Sequence, residues 1–379
     1  MSLRPGTIML ATGGTGGHIF PAVATAAALF GRGHRVVAVL DRRALPHREA
    51  FANAEVHVIA AGGIAGRGAL ARGQAALRLG VGFFQASALV GRVKPDAALG
   101  FGGYAALPTM AAALLARVPA ALHEQNAVLG RANRLLAPRV RLIATTFAAT
   151  ESLREADRRK VSVTGNPVRA EIAARAGVPY RGLRAGERLR LLVLGGSQGA
   201  RVFSRVVPRA LGLLPAEHRW LITVDHQARP EDRADVEEAY LRAGIEAEVS
   251  PFFRDVPDRL AACHLVIARA GASSCAELAA IGRPAILVPY PYAIDDHQLA
   301  NAQALDSAGG AWLIPERSFE EAKLAERLET LIAMPETLAS AAKAARAMAR
   351  LDAAERLAAL VERLLPANGN EDALKAAAE

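Results

Sequence analysis

Lysine, cysteine and aromatic residues are scarce in this chain. Five of its 46 basic residues are lysine, two residues are cysteine, and aromatics make up 5%. Each scarcity excludes something. Two cysteines, Cys263 and Cys275, are too few for a disulfide framework or a zinc site, so free buried thiols in a reducing compartment are expected. No basic stripe is interleaved with stacking rings, so nucleic acid is not expected as a partner. Long apolar runs are missing too. The longest, around Ala105–Ala116, is interrupted by Pro108 and closed by Arg117, too short to span a bilayer. The opening MSLRPGTIML has neither the charged n-region nor the apolar h-region of a secretory signal, which makes the cytoplasm the expected compartment. Asp-x-Asp is absent as well, which argues against a nucleotide-sugar site bridged by a metal. A leaving diphosphate would then need helix dipoles and arginine.

What is present is a globular composition, 52% hydrophobic and 22% charged, over 379 residues, a length that favours two domains. The net charge of +9 is almost all arginine. Arginine suits phosphate groups and anionic surfaces, although a genomic bias toward arginine and alanine leaves the same mark.

The pattern along the chain is more specific. Thr7–Ala11 (TIMLA) is a short apolar run of the kind that forms a buried parallel strand. It meets a glycine turn, Gly13–Gly14–Thr15–Gly16–Gly17, and then a helix-like run, Phe20–Phe30. Arg35–Leu40 is the next strand. The same order returns in the second half: Leu189–Leu194, the turn Gly195–Gly196–Ser197–Gln198–Gly199, and a helix from Ala200. Each half has a further such unit. Ala97–Phe101 leads into Gly102–Gly103–Tyr104, and His264–Ala268 leads into Arg269–Ala270–Gly271–Ala272–Ser273. Two Rossmann-like α/β domains in tandem are the economical reading. The join is expected near Gly165–Asn166–Pro167, giving domains 1–165 and 166–349. Glu336–Leu365 has helical spacing, with a stretch at about 350–366 returning to the first domain and a frayed tail at 367–379.

In such sheets ligands bind beyond the carboxyl ends of the strands, where glycine lets backbone N–H groups approach an anion at a helix N-terminus. Neither glycine turn carries the lysine of a P-loop. The dinucleotide pattern fails at Ile19, which stands where its third glycine belongs. Asp41 does follow the second strand, where a ribose-binding acid sits, so a nicotinamide enzyme stays open.

Seven segments then occur in order: GGTGGHIFPA, GFGGY, HEQN, GNPVR, GGSQGAR, RAGASSCAE and DDHQLANA. Together they resemble the MurG-type family of N-acetylglucosaminyltransferases, from about Gly13 to Asn301 and more weakly beyond. The resemblance implies a GT-B fold, two Rossmann-like parallel-sheet domains facing a cleft. It implies GlcNAc transfer from UDP-GlcNAc to the C4 hydroxyl of MurNAc in lipid I, giving lipid II, with inversion, no cofactor and no metal at the reacting centre. It also implies peripheral attachment to the cytoplasmic face of the inner membrane.

For the donor UDP-GlcNAc the resemblance points to Thr15, Gly16, Gly17, Asn126, Arg169, Ser197, Phe253, Gly271, Ala272, Ser273, Ser274, Glu277 and Gln298. Glu277 would accept the ribose diol, or serve only its helix dipole. Arg169 would meet the diphosphate, or be a surface arginine. Phe253, with Phe252, would line the uracil, or pack in the core. Gln298 would read sugar hydroxyls. For the acceptor it points to Gly13, Gly14, Tyr104 and again Asn126. His18 is the expected general base, since imidazole accepts a proton at neutral pH; its alternative is a hydrogen bond to phosphate. Glu124 is the second candidate base, with a structural role as its alternative.

The segment Ile64–Val93 sets Leu70, Leu77, Val81 and Phe84 among Arg67, Arg72, Arg78 and Arg92. That composition suits an anionic membrane surface, and equally an amphipathic helix covering the sheet. Two readings of other classes stay open: a UDP-GlcNAc-modifying enzyme of related fold such as a 2-epimerase, and a non-catalytic nucleotide-binding scaffold.

Overall fold

The computed structural model describes residues 5–61, 69–184, 186–196 and 199–366, with the backbone alone for 69–72. The chain divides into two compact units, Met1–Arg169 with Asp352–Glu379, and Ala170–Leu351.

The first unit is built on a seven-stranded sheet. Its strands are β1 (Thr7–Ala11), β2 (Arg35–Leu40), β3 (Glu55–Val58), β4 (Ala97–Gly100), β5 (Ala120–Glu124), β6 (Leu142–Thr145) and β7 (Val161–Val163). They lie in the order β3-β2-β1-β4-β5-β6-β7, every neighbouring pair parallel. Helices cover both faces, which is why the central strands read as unbroken apolar runs. Along β1 the pleat sends Ile8 and Leu10 to one face and Met9 and Ala11 to the other. The first face is closed by α1 (Gly16–Gly31) and by the C-terminal helix Ala353–Glu362, through Leu357 and Val361. Arg32 and His34 tie that helix down through Glu355 and Glu362, at 2.8–3.0 Å. The second face is covered by α2 (Ala69–Val93) and α3 (Gly103–Leu115). Gly82 in α2 is demanded by packing: a Cβ there would lie 1.8 Å from the carbonyl oxygen of Ala60.

The second unit carries six strands: β8 (Leu189–Leu194), β9 (Ile222–Gln227), β10 (Glu246–Ser250), β11 (Leu265–Ala268), β12 (Ala285–Leu287) and β13 (Ala311–Leu313). Their order is β10-β9-β8-β11-β12-β13, again all parallel. Leu189, Leu191, Val193, Phe203, Tyr240 and Leu328 are among its core. Cys263 and Cys275 are buried here, and burial pushes both thiols up to about 12.

In each unit the strand order reverses once, between β1 and β4 and between β8 and β11. A crevice opens at such a switch point, beyond the carboxyl ends of the two strands. All four glycine turns noted in the sequence leave these four strands.

The helical stretch Glu336–Leu365 is two helices, Pro335–Ala347 in the second unit and Ala353–Glu362 in the first. Apolar spacing continues on both sides of the break, so periodicity alone does not reveal it.

Candidate active site

In the first unit the turn after β1 depends on glycine. Gly13 and Gly14 hold φ +152° and +83°, a region that side chains disfavour. Beneath the turn lies Asp41, fully buried at the end of β2. Its Oδ1 accepts the Gly14 N–H at 2.9 Å and its Oδ2 accepts from Arg43 Nε at 2.7 Å. Asp41 is therefore a strut for the loop and is not open to a ribose, which removes the nicotinamide reading.

Helix α1 begins at Gly16, with Thr15 as its N-cap, four residues before the expected Phe20. The glycines read as loop from propensity, yet Gly16 and Gly17 already form the first turn. First-turn N–H groups lack intrahelical partners, so Gly16 and Gly17 stand where an anion is stabilised, whereas the His18 N–H already donates to the Thr15 carbonyl at 3.0 Å.

His18 lies between two glycine turns. A Cβ on Gly103 would sit 3.4 Å from its Cδ2 and Nε2, at van der Waals contact, so the second turn stands directly against the ring. Nδ1 of His18 is 2.9 Å from Oε1 of Gln125. Tyr104 is half-buried in the first turn of α3, beside that glycine.

Glu124, the other candidate base, is 2% exposed. Its carboxylate accepts from the Asn126 N–H and Asn126 Nδ2, both at 3.1 Å, and from the Gly130 N–H and Asn133 Nδ2, both at 2.8 Å. Four donors of its own fold fill the carboxylate, so the geometry gives it the task of shaping the loop and aiming Asn126. The partners are amides rather than an arginine.

Arg169 belongs to the first unit, with its guanidinium 5.2 Å above the Phe20 ring. Phe20 in turn packs against Gly16, where a Cβ would meet its Cε2 at 2.7 Å. The cation thus sits beside the first glycine loop.

In the second unit the turn after β8 is equally tight. A Cβ on Gly195 would lie 2.4 Å from the Ala200 nitrogen, and Gly199 holds φ +67°. Ser197 lies outside the described residues. After β11, Gly271 caps the helix Ala272–Ile281, which brings Ala272, Ser273, Ser274 and Glu277 together on its first turns. The Ser273 hydroxyl is buried with no hydrogen-bond partner among the described residues, as suits a group awaiting an acceptor. Asn301, fully buried, donates to the Ala270 carbonyl at 3.0 Å and so fixes the approach to that turn. Gln298 Oε1 accepts the Tyr290 N–H at 3.0 Å. Arg269 pairs with Glu316 at 2.6 Å and donates to the carbonyls of Val288 and Pro289.

Phe253 takes the core-packing alternative for its side chain. It is 4% exposed, with the Arg259 guanidinium 4.1 Å over its ring, so its side chain is committed to the core and only its main chain remains to read a base. Phe252, at 68% exposed, is the ring that faces out.

With this geometry in hand, the comparisons with known proteins are decisive. The glycosyltransferase family 28 N-terminal domain matches residues 8–145, and the family 28 C-terminal domain matches residues 190–357. A UDP-N-acetylglucosamine–N-acetylmuramyl-(pentapeptide) pyrophosphoryl-undecaprenol N-acetylglucosamine transferase of Paramagnetospirillum magneticum is 52% identical over 97% of this chain and 99% of its own length. The chain belongs to the MurG-type branch of glycosyltransferase family 28.

The crystal structure of Acinetobacter baumannii MurG matches with a TM-score of 0.77 and 28% identity, over 95% of this chain and 100% of that one. The architecture is accordingly GT-B, and the chain is a glycosyltransferase. A UDP-N-acetylglucosamine 2-epimerase from Listeria monocytogenes shares the fold at a TM-score of 0.66 and 15% identity, over 95% of this chain and 96% of that one. That likeness is one of architecture alone, and the epimerase alternative is not favoured.

For a MurG-type transferase the two candidate bases are separable. Glu124→Gln removes a charged acceptor from a buried cluster of donors and sets an amide NH₂ against two of them. We expect a loss of about 2–4 kcal/mol of stability, with kcat within a few-fold of wild type well below the melting temperature. Thermal unfolding and turnover, measured on the same sample, decide it. An unchanged melting temperature with a hundredfold loss of kcat would return Glu124 to the role of base.

Sequence reasoning missed three residues. Asp41 was weighed as a ribose ligand, not as the support of the glycine turn. His123 and Gln125 were visible only as letters of HEQN, and nothing local signals their contacts.

Proposed function

We propose that this chain transfers GlcNAc from UDP-GlcNAc to the C4 hydroxyl of MurNAc in lipid I, giving lipid II with inversion at the anomeric carbon. The observation that carries the reading is His18, a histidine set in the first turn of α1 between two glycine turns. The names of the relatives supply the donor and acceptor chemistry, and the residues here complement both.

The N-terminus of α1, with Gly13, Thr15, Gly16 and Gly17, offers N–H groups and partial positive charge to a diphosphate, while Gly14, its own N–H given to Asp41, shapes the turn around it. Arg169 beside it adds a full charge. As the C4 oxygen attacks the anomeric carbon, its proton passes to Nε2 of His18. The bond from that carbon to the diphosphate breaks, and UDP leaves with the electron pair. The N-terminus of the helix Ala272–Ile281 and the Ser273 hydroxyl stabilise the charge that develops there. Glu277 accepts the ribose hydroxyls, Gln298 the sugar hydroxyls, and Asn126, aimed by Glu124, orients a substrate sugar. Ser197 completes the phosphate contacts in this reading.

The test is UDP release from UDP-GlcNAc with and without a short-chain lipid I analogue. Acceptor-dependent release supports the transferase. ManNAc formed without acceptor, or no product at all, overturns it.

The acceptor is a lipid, so we place the chain on the cytoplasmic face of the inner membrane. Among the described residues no helix is long and apolar enough to cross a bilayer. On α2, Leu77, Val81 and Phe84 follow at helical spacing and are 69%, 44% and 73% exposed, while Ala75, Ala86, Leu89 and Val90 face the core. Arg78 and Arg92 are exposed on the same helix. Arg67 and the side chains of Leu70 and Arg72 lie outside the described residues. An apolar stripe with arginines suits anionic headgroups. Binding to vesicles containing phosphatidylglycerol is expected at low salt, weakened at high salt and abolished by Leu77→Glu with Phe84→Glu. No binding of the wild type at low salt sinks the placement.

A further inference from the structure

We propose that His123 and Gln125 form a hydrogen-bond relay that fixes the proton of His18 on Nδ1 and so reserves its Nε2 lone pair for the acceptor hydroxyl. The inference deepens the reading of His18 as the base and rests on it.

The direction of the relay follows from its far end. The Gly165 carbonyl oxygen can only accept, and Nε2 of His123 is 3.0 Å away, so that nitrogen carries a proton. Gly165 O also accepts from the Thr164 hydroxyl at 3.1 Å, which fills its two lone pairs. His123 is wholly buried against Phe101, and burial lowers its pKa to about 4. The ring is therefore neutral near pH 7, and its Nδ1 is a bare lone pair.

That lone pair accepts from Nε2 of Gln125 at 3.0 Å. The same amide nitrogen lies 3.3 Å from the His123 carbonyl oxygen, a second group that can only accept. Turning the amide over would set its oxygen against a carbonyl and a lone pair at once. The amide orientation is thus dictated by its surroundings. Its oxygen then faces His18 Nδ1 at 2.9 Å, and this nitrogen must donate. Gln125 is 1% exposed, so no bulk water competes for either end.

The result is a histidine whose tautomer is set from the interior. A base whose proton sits on the wrong nitrogen loses most of its value, because the lone pair then points away from the substrate. His123 and Gln125 are positioning residues in this scheme: they touch the base, not the substrate. An amide orients the imidazole without placing a negative charge beside a helix N-terminus that has a diphosphate to hold.

Two measurements test the relay. The first uses the full chain, labelled with ¹⁵N in its imidazole rings and free of substrate. Multiple-bond ¹H–¹⁵N spectra, assigned with His18→Ala and His123→Ala, should show His18 as the Nδ1–H tautomer and His123 as the Nε2–H tautomer. A wild-type His18 protonated on Nε2 overturns the proposal. The second compares variants. Gln125→Leu should mix the His18 tautomers and lower kcat by roughly 10- to 100-fold, a part of what a correctly protonated base supplies, with KM for UDP-GlcNAc unchanged. Gln125→Glu keeps an acceptor for Nδ1, so His18 should stay the Nδ1–H tautomer and part of the kcat loss should be recovered, while its second oxygen, set against the His123 lone pair and carbonyl, lowers the melting temperature; a merely structural role would not hold the tautomer. A folded Gln125→Leu with wild-type kcat overturns the relay, as does an equal loss in both variants with the tautomer unchanged. If Gln125→Leu fails to fold, the wild-type spectrum and Gln125→Glu still decide. A wild type without acceptor-dependent UDP release overturns the function proposed above, whereas the substrate-free spectrum judges the tautomer independently.

Discussion

His18→Ala is expected to lower kcat for acceptor-dependent UDP release by roughly 10²- to 10⁴-fold, the usual contribution of a general base, while leaving the affinity for UDP unchanged. The fold has little reason to suffer. The ring is half-buried, and alanine is a good residue for the first turn of α1. The main structural cost is Oε1 of Gln125, which loses the imidazole as its donor, a penalty of about 1–3 kcal/mol if nothing replaces it. The UDP-binding elements proposed above, Gly271–Glu277 and Gln298, belong to the second unit, so UDP titration reports on them separately. Retention of near-full turnover would remove His18 as the base. A parallel loss of UDP affinity and kcat would make it a phosphate ligand instead.

How much of this was legible in the sequence depends on the range of the interaction. Strand, glycine turn and helix were readable because parallel strands covered on both faces show as short apolar runs, TIMLA and RVVAVL among them, and glycine marks the turns between. The repetition of that unit made a tandem α/β architecture readable too. Local chemistry misled at the start of α1, where glycine is a poor helix former, yet Gly16 and Gly17 fall inside the first turn. Whether the Phe253 ring lines the uracil or packs in the core could not be told from the sequence, because its burial depends on Arg259 packing over it. The contacts of the catalytic candidates were the least visible. His18 meets Gln125 across 107 residues, and His123 meets Gly165 across 42. Motif reading found Glu124 and His18 as residue types suited to proton transfer. Only the packing shows one carboxylate filled by four amide donors and one imidazole with a nitrogen facing a glycine.

Gly13→Ala should be the most damaging small change in the turn after β1. A methyl group at that position meets Asp41 Oδ1 at 2.6 Å and the Ala105 Cβ at 2.8 Å, on a backbone with φ +152°. Neither neighbour has room to yield. Asp41 is fully buried and held by the Gly14 N–H and by Arg43, and Ala105 is 3% exposed in the first turn of α3. The turn must lift off Asp41, which strips a hydrogen bond from a buried carboxylate and carries Gly14, Gly16 and Gly17 out of register with the helix N-terminus. We expect a loss of about 2–4 kcal/mol, from backbone strain and the broken charged hydrogen bond together. The acceptor side should fail first: turnover at least a hundredfold down, with UDP still bound at temperatures where the variant is folded. Gly31→Ala is the control. It lies at the other end of the same helix with nothing within 4 Å of the added methyl group, and should melt at or slightly above the wild-type temperature. Calorimetric melting, UDP titration and acceptor-dependent turnover on the two variants separate a positional demand for glycine from a general sensitivity of α1. Equal melting temperatures and equal rates would mean that the turn is not held against Asp41, and that its glycines serve the ligand by flexibility alone.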